Sequence, residues 1–267
     1  MPKPFSAVPA WPAPPAPRLE RRRSRGGGRP HRYHDAMNLL AFETATEACS
    51  VAVLADGRVH ERFEIAPRRH ARLALPWAEA LLAEAGLARS QLDAIAVGRG
   101  PGAFTGVRLA VGLAQGIALA LDLPVVPVST LAALAAGAPD GRVLAAIDAR
   151  MGEVYLGRFE VAQGRVVALG RECVARPEAV EVPGDGPWYA VGTGFAAAEG
   201  LLQRRLDAVL ASVEAQALPR AADVAHLGAL ALERGEAVAP ERLEPAYLRD
   251  NVALTLAQQQ ALRASRG

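Results

Sequence analysis

A chain of 267 residues can hold one large domain or two modest ones with sizeable cores. With 51% hydrophobic but only 5% aromatic residues, that core is built mostly of Ala, Leu and Val. The net charge of +2 hides an asymmetry: residues 1–36 carry eight basic side chains against two acidic ones, and the remainder carries 22 against 26, so a mildly acidic body argues against a dominant role in gripping nucleic-acid phosphates.

Residues 1–36 are rich in Pro, Arg and Gly, have no hydrophobic periodicity, and are expected to form a disordered basic extension. No apolar core follows their charges, so they do not read as a secretory leader. The arginines at 21–25 could touch RNA phosphates and the Pro-rich part could dock on a small domain; the plainer expectation is a functionless extension ahead of a natural start at Met37. From Asn38 the patterning predicts a strand (Asn38–Ala45), a second (Cys49–Ala55), an Asp56-Gly57 hairpin turn and a third (Arg58–Ile65). A helix follows over Arg69–Ala85, then a buried strand at Ala94–Gly98. The glycine-rich loop "GRGPGAFTG" opens a helix to about Leu121, before a short strand at Val125–Val128 and a helix from Thr130. The longest apolar run, Leu109–Leu121, is interrupted by Gln115 and flanked by Arg108 and Asp122, which predicts no membrane span. Cys49 and Cys173 are far apart and lack metal-ligand spacing, which suits a reducing cytoplasm.

After the Gly/Pro boundary "AGAPDG" the plan restarts. "VLAAIDARMGEVYLGRFEVAQGRV" parallels "LLAFETATEACSVAVLADGRV", each an apolar strand ending at an acid, Asp148 or Glu43, followed by a hairpin. "AVGTG" at 190–194 parallels "AVGRG" at 96–100. Two β-β-β-α-β-α halves, at 37–137 and 138–267, predict a duplicated α/β architecture with a cleft between them. In such a cleft Glu43 and Asp148 would sit near the floor, Thr44 and Thr46 would bond phosphate, and Gly100, Gly102, Gly192 and Gly194 would let a nucleotide approach the backbone.

Four stretches together, "LLAFETATEACSVAV", "GRGPGAFTGVRLAVGLAQG", "AAIDARMGEVY" and "EPAYLRDN", resemble the TsaB (YeaZ) family over about residues 37–252. The resemblance implies an actin-like, Hsp70-like (ribonuclease H-like) two-lobed fold and a role in making N6-threonylcarbamoyladenosine on tRNA. It also implies a TsaD partner that transfers the threonylcarbamoyl group, a small ATPase partner, TsaE, and only indirect contact with tRNA. The chain alone could pair as a homodimer or stay single, and a cytoplasmic location is expected. No cofactor is required; ATP or ADP would occupy the cleft or the partner interface. Two departures weaken chemistry at this chain's own cleft. Where the catalytic relative has a His-x-x-x-His metal pair, this chain has His70 and Ala74, and one histidine is no metal site. Where the family usually has Asp, this chain has Glu43, whose extra methylene moves the carboxylate by roughly 1.5 Å. No catalytic residue is expected, and five histidines offer no partnered base.

Two helices read as a contact surface. Gly106, Gly112 and Gly116 lie in the helix after the glycine loop, and each costs about 1 kcal/mol relative to alanine. Gly112 and Gly116, four apart, permit close approach of another helix, from this chain or from a partner. Val107, Val111 and Arg108 on that helix, with His70, Leu73, Trp77 and Leu81 on the earlier one, complete the expected partner face. A stand-alone small ATPase or phosphotransferase using the cleft remains the alternative, although the chain's single lysine is Lys3 and only Arg99 and Arg150 would serve in its place.

Overall fold

A computed structural model describes residues 37–184 and 186–249. The basic extension expected at 1–36, and the end of the second half, lie outside the described residues. The first half runs β1 (Leu39–Glu43), β2 (Ala48–Ala55), β3 (Arg58–Ile65), α1 (His70–Glu84), β4 (Ala94–Gly98), α2 (Phe104–Leu121), β5 (Val125–Val128) and α3 (Thr130–Ala136). The second runs β6 (Gly141–Arg150), β7 (Glu153–Ala162), β8 (Arg165–Ala168), β9 (Cys173–Ala175), β10 (Trp188–Val191), α4 (Ala197–Leu206), β11 (Leu210–Glu214) and α5 (Ala221–Glu233).

The strand orders establish the duplication. The first sheet is β3-β2-β1-β4-β5 and the second, read in the matching direction, β8-β7-β6-β10-β11. In both, the first three strands are antiparallel neighbours and the last two run parallel to the first. This is the duplicated order expected from the repeat, and the actin-like, ribonuclease H-like fold implied by the resemblance. One element differs from the predicted β-β-β-α-β-α plan: where the first half has α1, the second has β9 and a turn at Pro177–Ala179. Pro177 opens that turn, and Pro183 and Pro187 beyond it would each interrupt a helix continued through the stretch.

Each strand of the first sheet sorts its side chains by the two-residue period of the pleat. Leu40, Phe42, Val51, Val53, Ile95 and Val97 face α1 and α2. Leu39, Ala41, Ala52, Leu54, Ala94 and Ala96 face α5. The second sheet is covered by α4 on one face and α3 on the other. The halves are therefore interlocked: α3, from before residue 138, packs on the second sheet, while α5, from after it, packs on the first. Glu61 of β3 fastens α5 in place, accepting from the Ala222 N–H at 3.1 Å and pairing with Arg220 at 2.6 Å. The Ser50 hydroxyl accepts from the Ala221 N–H at 2.8 Å, so polar groups of the first half satisfy the free amides at the N-terminus of a helix from the second.

Candidate functional site

Residues of both halves line an open cleft of about 770 Å³. One wall is the β1–β2 turn at Ala45–Glu47 together with the start of α2. The other is Ile147–Arg150 at the end of β6, with Tyr155 and Thr193. The segment Ala246–Arg249 closes one side. It is tied to the first half by the Arg108 Nε–H donating to the Tyr247 hydroxyl at 2.7 Å and by the Ala246 N–H donating to the Arg99 carbonyl at 2.8 Å. Arg249 ties it to the second half, donating to the Ala149 carbonyl at 3.2 Å and pairing with Glu153. Arg68, Arg150 and Arg249 line the cleft beside Glu47 and Asp148, and Asp148 is held by Arg150 at 3.0 Å.

Of the eight residues expected to bind nucleotide, the cleft collects Thr46, Gly102 and Asp148; Glu43, Thr44, Gly100, Gly192 and Gly194 do not line it. Glu43 is 1% exposed, and its carboxyl turns into the protein. Oε1 accepts from the Ala45 N–H at 2.7 Å, and Oε2 accepts from the Thr130 hydroxyl at 2.9 Å. Burial, partly offset by these hydrogen bonds, pushes its pKa up to about 7. The Thr44 hydroxyl is spent on the Gly106 carbonyl at 2.7 Å and the residue is fully buried. Gly100 is covered by Val107 and Ala246, and Gly192 and Gly194 by Ala146. Those glycines serve close packing of loop on strand, the same local need a phosphate loop has, so sequence does not separate the two uses. Among the described residues no cluster of three or more His, Cys, Asp or Glu is placed to hold a metal ion.

The second feature is the outer side of α2. Val107, Ala110, Val111, Ala114 and Ala118 form its buried stripe against the first sheet. On the opposite side Phe104, Arg108, Gly112, Gly116 and Leu119 are all exposed, at spacings of four, four, four and three. Phe104 and Leu119 are 56% and 61% exposed. Among the described residues, nothing beyond the helix's own backbone lies within 4 Å of where a side chain at Gly112 or Gly116 would begin. The Arg108 guanidinium lies 3.6 Å from the Phe104 ring centroid, stiffening the first turn of this surface. By length and composition α2 qualifies as a membrane-crossing helix, contrary to the reading of Leu109–Leu121, because it starts five residues earlier; its buried stripe nonetheless packs on a sheet.

Comparison with known proteins bears on this architecture. Residues 52–256 match the family described as TsaD, tRNA N6-adenosine threonylcarbamoyltransferase. The tRNA threonylcarbamoyladenosine biosynthesis protein TsaB of Escherichia coli K12 is 44% identical over 225 residues, 81% of this chain and 96% of that protein. The chain belongs to the TsaB family. The TsaB of Haemophilus influenzae is 37% identical over 230 residues, covering 81% of this chain and 95% of its own length. The solved structure of YeaZ from Pseudomonas aeruginosa superposes with a TM-score of 0.74 at 48% identity, covering 79% of this chain and 100% of that one.

On this TsaB-family frame the expected partner face divides. Gly112, Gly116 and Arg108 are exposed, and Leu73 and Trp77 are half-buried where they pack on the core. Leu81, Val107 and Val111 belong to the core itself, at 1%, 3% and 5% exposure, and present almost no surface. Helical spacing groups residues on one side without saying what covers it, so it does not separate core from surface positions here. His70 is pinned at the start of α1, its Nε2 lying 3.1 Å from both the Thr46 and Ala48 carbonyls. Phe104, Leu119 and Leu75 were missed as exposed apolar positions and Thr130 as the partner of Glu43. Phe104 was detectable as the residue four before Arg108; nothing local pointed to Thr130.

Proposed function

We propose that this chain is a non-catalytic partner subunit that TsaD requires for threonylcarbamoyl transfer to tRNA adenosine, and that the exposed stripe of α2, flanked by α1, is the surface TsaD covers. The observation that carries this reading is the pair Gly112 and Gly116. Each costs the helix about 1 kcal/mol relative to alanine, and among the described residues nothing beyond the helix's own backbone comes within 4 Å of where a side chain on either would begin. Their use lies outside the chain, where bare backbone lets another helix come close. Exposed Phe104 and Leu119 supply apolar area at the two ends. The same stripe serves a second copy of the chain when TsaD is absent. TsaE joins the assembly, tRNA is reached through TsaD, and ATP or ADP, where used, sits at the joint surface; the setting is the cytoplasm. Consistent with a subunit without its own catalysis, Glu43 is consumed by internal hydrogen bonds.

The test is Gly112→Arg, assayed by calorimetric titration against purified TsaD. A side chain there begins in open space among the described residues, so thermal stability is expected to change little while affinity falls by at least about 100-fold, the effect of blocking an interface core. A variant that still binds TsaD tightly refutes the assignment. ATP turnover by the isolated wild-type chain, lost in Asp148→Ala, would establish the stand-alone enzyme in its place.

A further inference from the structure

The function proposed above leaves the buried Glu43 carboxyl without a task. The end of β1 and the start of α2 are joined at several points. The Ala103 N–H donates to the Ala45 carbonyl at 2.7 Å, and the Thr44 hydroxyl donates to the Gly106 carbonyl at 2.7 Å. Side chains at Gly102 and Gly106 would overlap the Ala45 and Thr44 carbonyls. Glu43 stands at the head of this junction. Its carboxyl fills the space a side chain on Gly98 would need, and through Thr130 it reaches the loop itself: the Thr130 Oγ1 accepts from the Gly100 N–H at 3.1 Å, and the Thr130 N–H donates to the Gly100 carbonyl at 2.9 Å.

We infer that Glu43 is a positioning residue for α2: through Thr130 and Gly98 it sets where the Gly98–Ala103 loop holds the start of that helix, and it does so differently with and without a proton on its carboxyl. The relay has a direction. With Glu43 ionised, the Gly100 N–H donates to Thr130, the Thr130 hydroxyl donates to Oε2 and the Ala45 N–H donates to Oε1, so every donor meets an acceptor. A proton on Oε2 reverses the Glu43–Thr130 bond and leaves the Thr130 hydroxyl hydrogen without its acceptor; a proton on Oε1 faces the Ala45 N–H. Burial disfavours the charged form while the network favours it, and the two balance near neutrality.

The groups around the carboxyl are uncharged: Thr44 and Ala45 of its own segment, Gly98 of β4 and Thr130 of α3. Charges on the packed elements are engaged with one another. Ser50 of β2 stands opposite Glu43, and its hydroxyl donates to Glu61 of β3, which is paired with Arg220 and acts on Asp223 of α5. Arg99 acts on Glu172, which is bonded to Ser129. That the position of α2 matters to a partner rests on the proposed function; that Glu43 sets it stands on this chain alone.

The test is an amide NMR titration of the full chain from about pH 5.5 to pH 8.5, spanning the neutral range. In the wild type, Ala45, Gly98, Gly100 and the first turns of α2 are expected to shift with one midpoint near neutrality, and in Glu43→Gln not to shift. The same titration in Glu43→Gln overturns the proton linkage, and a titration that stops at Gly100 overturns the positioning of α2. Should Glu43→Gln fail to fold, Thr130→Val cuts the relay while keeping the carboxyl: titration is expected to persist at Ala45 and vanish at Gly100 and α2, and its persistence there overturns the proposal. TsaD affinity measured over the same range is expected to follow the same midpoint. A titrating α2 with pH-independent TsaD affinity would refute the partner surface and leave the positioning intact.

Discussion

Replacing Gly98 with alanine tests the packing of Glu43 directly. The new methyl would overlap Oε2 and stand 2.7 Å from the carboxyl carbon of Glu43, against an ordinary contact of 3.4 Å or more. Gly98 has an ordinary strand backbone, so the cost comes from this collision and not from its dihedral angles. The carboxyl must retreat by about 0.7 Å or more, which spoils the hydrogen bonds to Thr130 at 2.9 Å and Ala45 at 2.7 Å. Overpacking a tight core costs about 1–3 kcal/mol, and damaged hydrogen bonds to a buried charged group add roughly 1.5–3 kcal/mol. A loss of about 2.5–6 kcal/mol is expected, lowering the melting temperature by roughly 10 °C. Shortening the side chain with Glu43→Asp should make room for the methyl, so the double variant is expected to be at least about 1 kcal/mol more stable than the two single losses predict. Urea denaturation of the four proteins at one pH measures this. A cost below about 1 kcal/mol for Gly98→Ala, or losses that simply add, would refute the account of why this strand ends in glycine.

Two further outcomes follow from buried groups. Burial, with the nearby Glu61 charge, raises Asp223 to about 6 from its ordinary 3.8, so its favourable contribution is fully present below about pH 4 and lost as pH rises through about 6. Asp223→Asn should therefore gain on the wild type between those values and level off above them, by at most about 3 kcal/mol; urea melts showing a pH-independent difference would contradict this. Cys49 is fully buried in β2 with its thiol pushed up to about 11 by burial, whereas Cys173 is exposed. A thiol reagent is expected to modify one cysteine per native chain and both in denaturant, and two reactive native thiols would show that β2 opens.

Much of the fold was legible because its signals are local. Leu39 to Phe42 alternate between two covering layers, Asp56-Gly57 turns a hairpin, and the order of acid, hairpin and glycine loop recurs a hundred residues on. The exposed pair Gly112 and Gly116 was visible as an expense without a local reason. The site was less legible. Thr44, Glu43 and the glycines at 192 and 194 carry the chemistry of a phosphate site and are used for packing, since a hydroxyl or a bare Cα serves a neighbouring carbonyl as readily as a ligand.

The sequence by itself determined most of the strands, the repeat and the family, all of which rest on residue type and spacing along the chain. Only the tertiary structure decided that the Glu43 carboxyl turns to Thr130, 87 residues away, instead of to the cleft. It alone showed that Gly106 faces inward against Thr44 while Gly112 and Gly116 face outward, and that α3 and α5 each cover the other half's sheet. Spacing says which side chains share a face. What lies opposite that face is set by segments distant in sequence, and there the same glycine or carboxylate acquires its use.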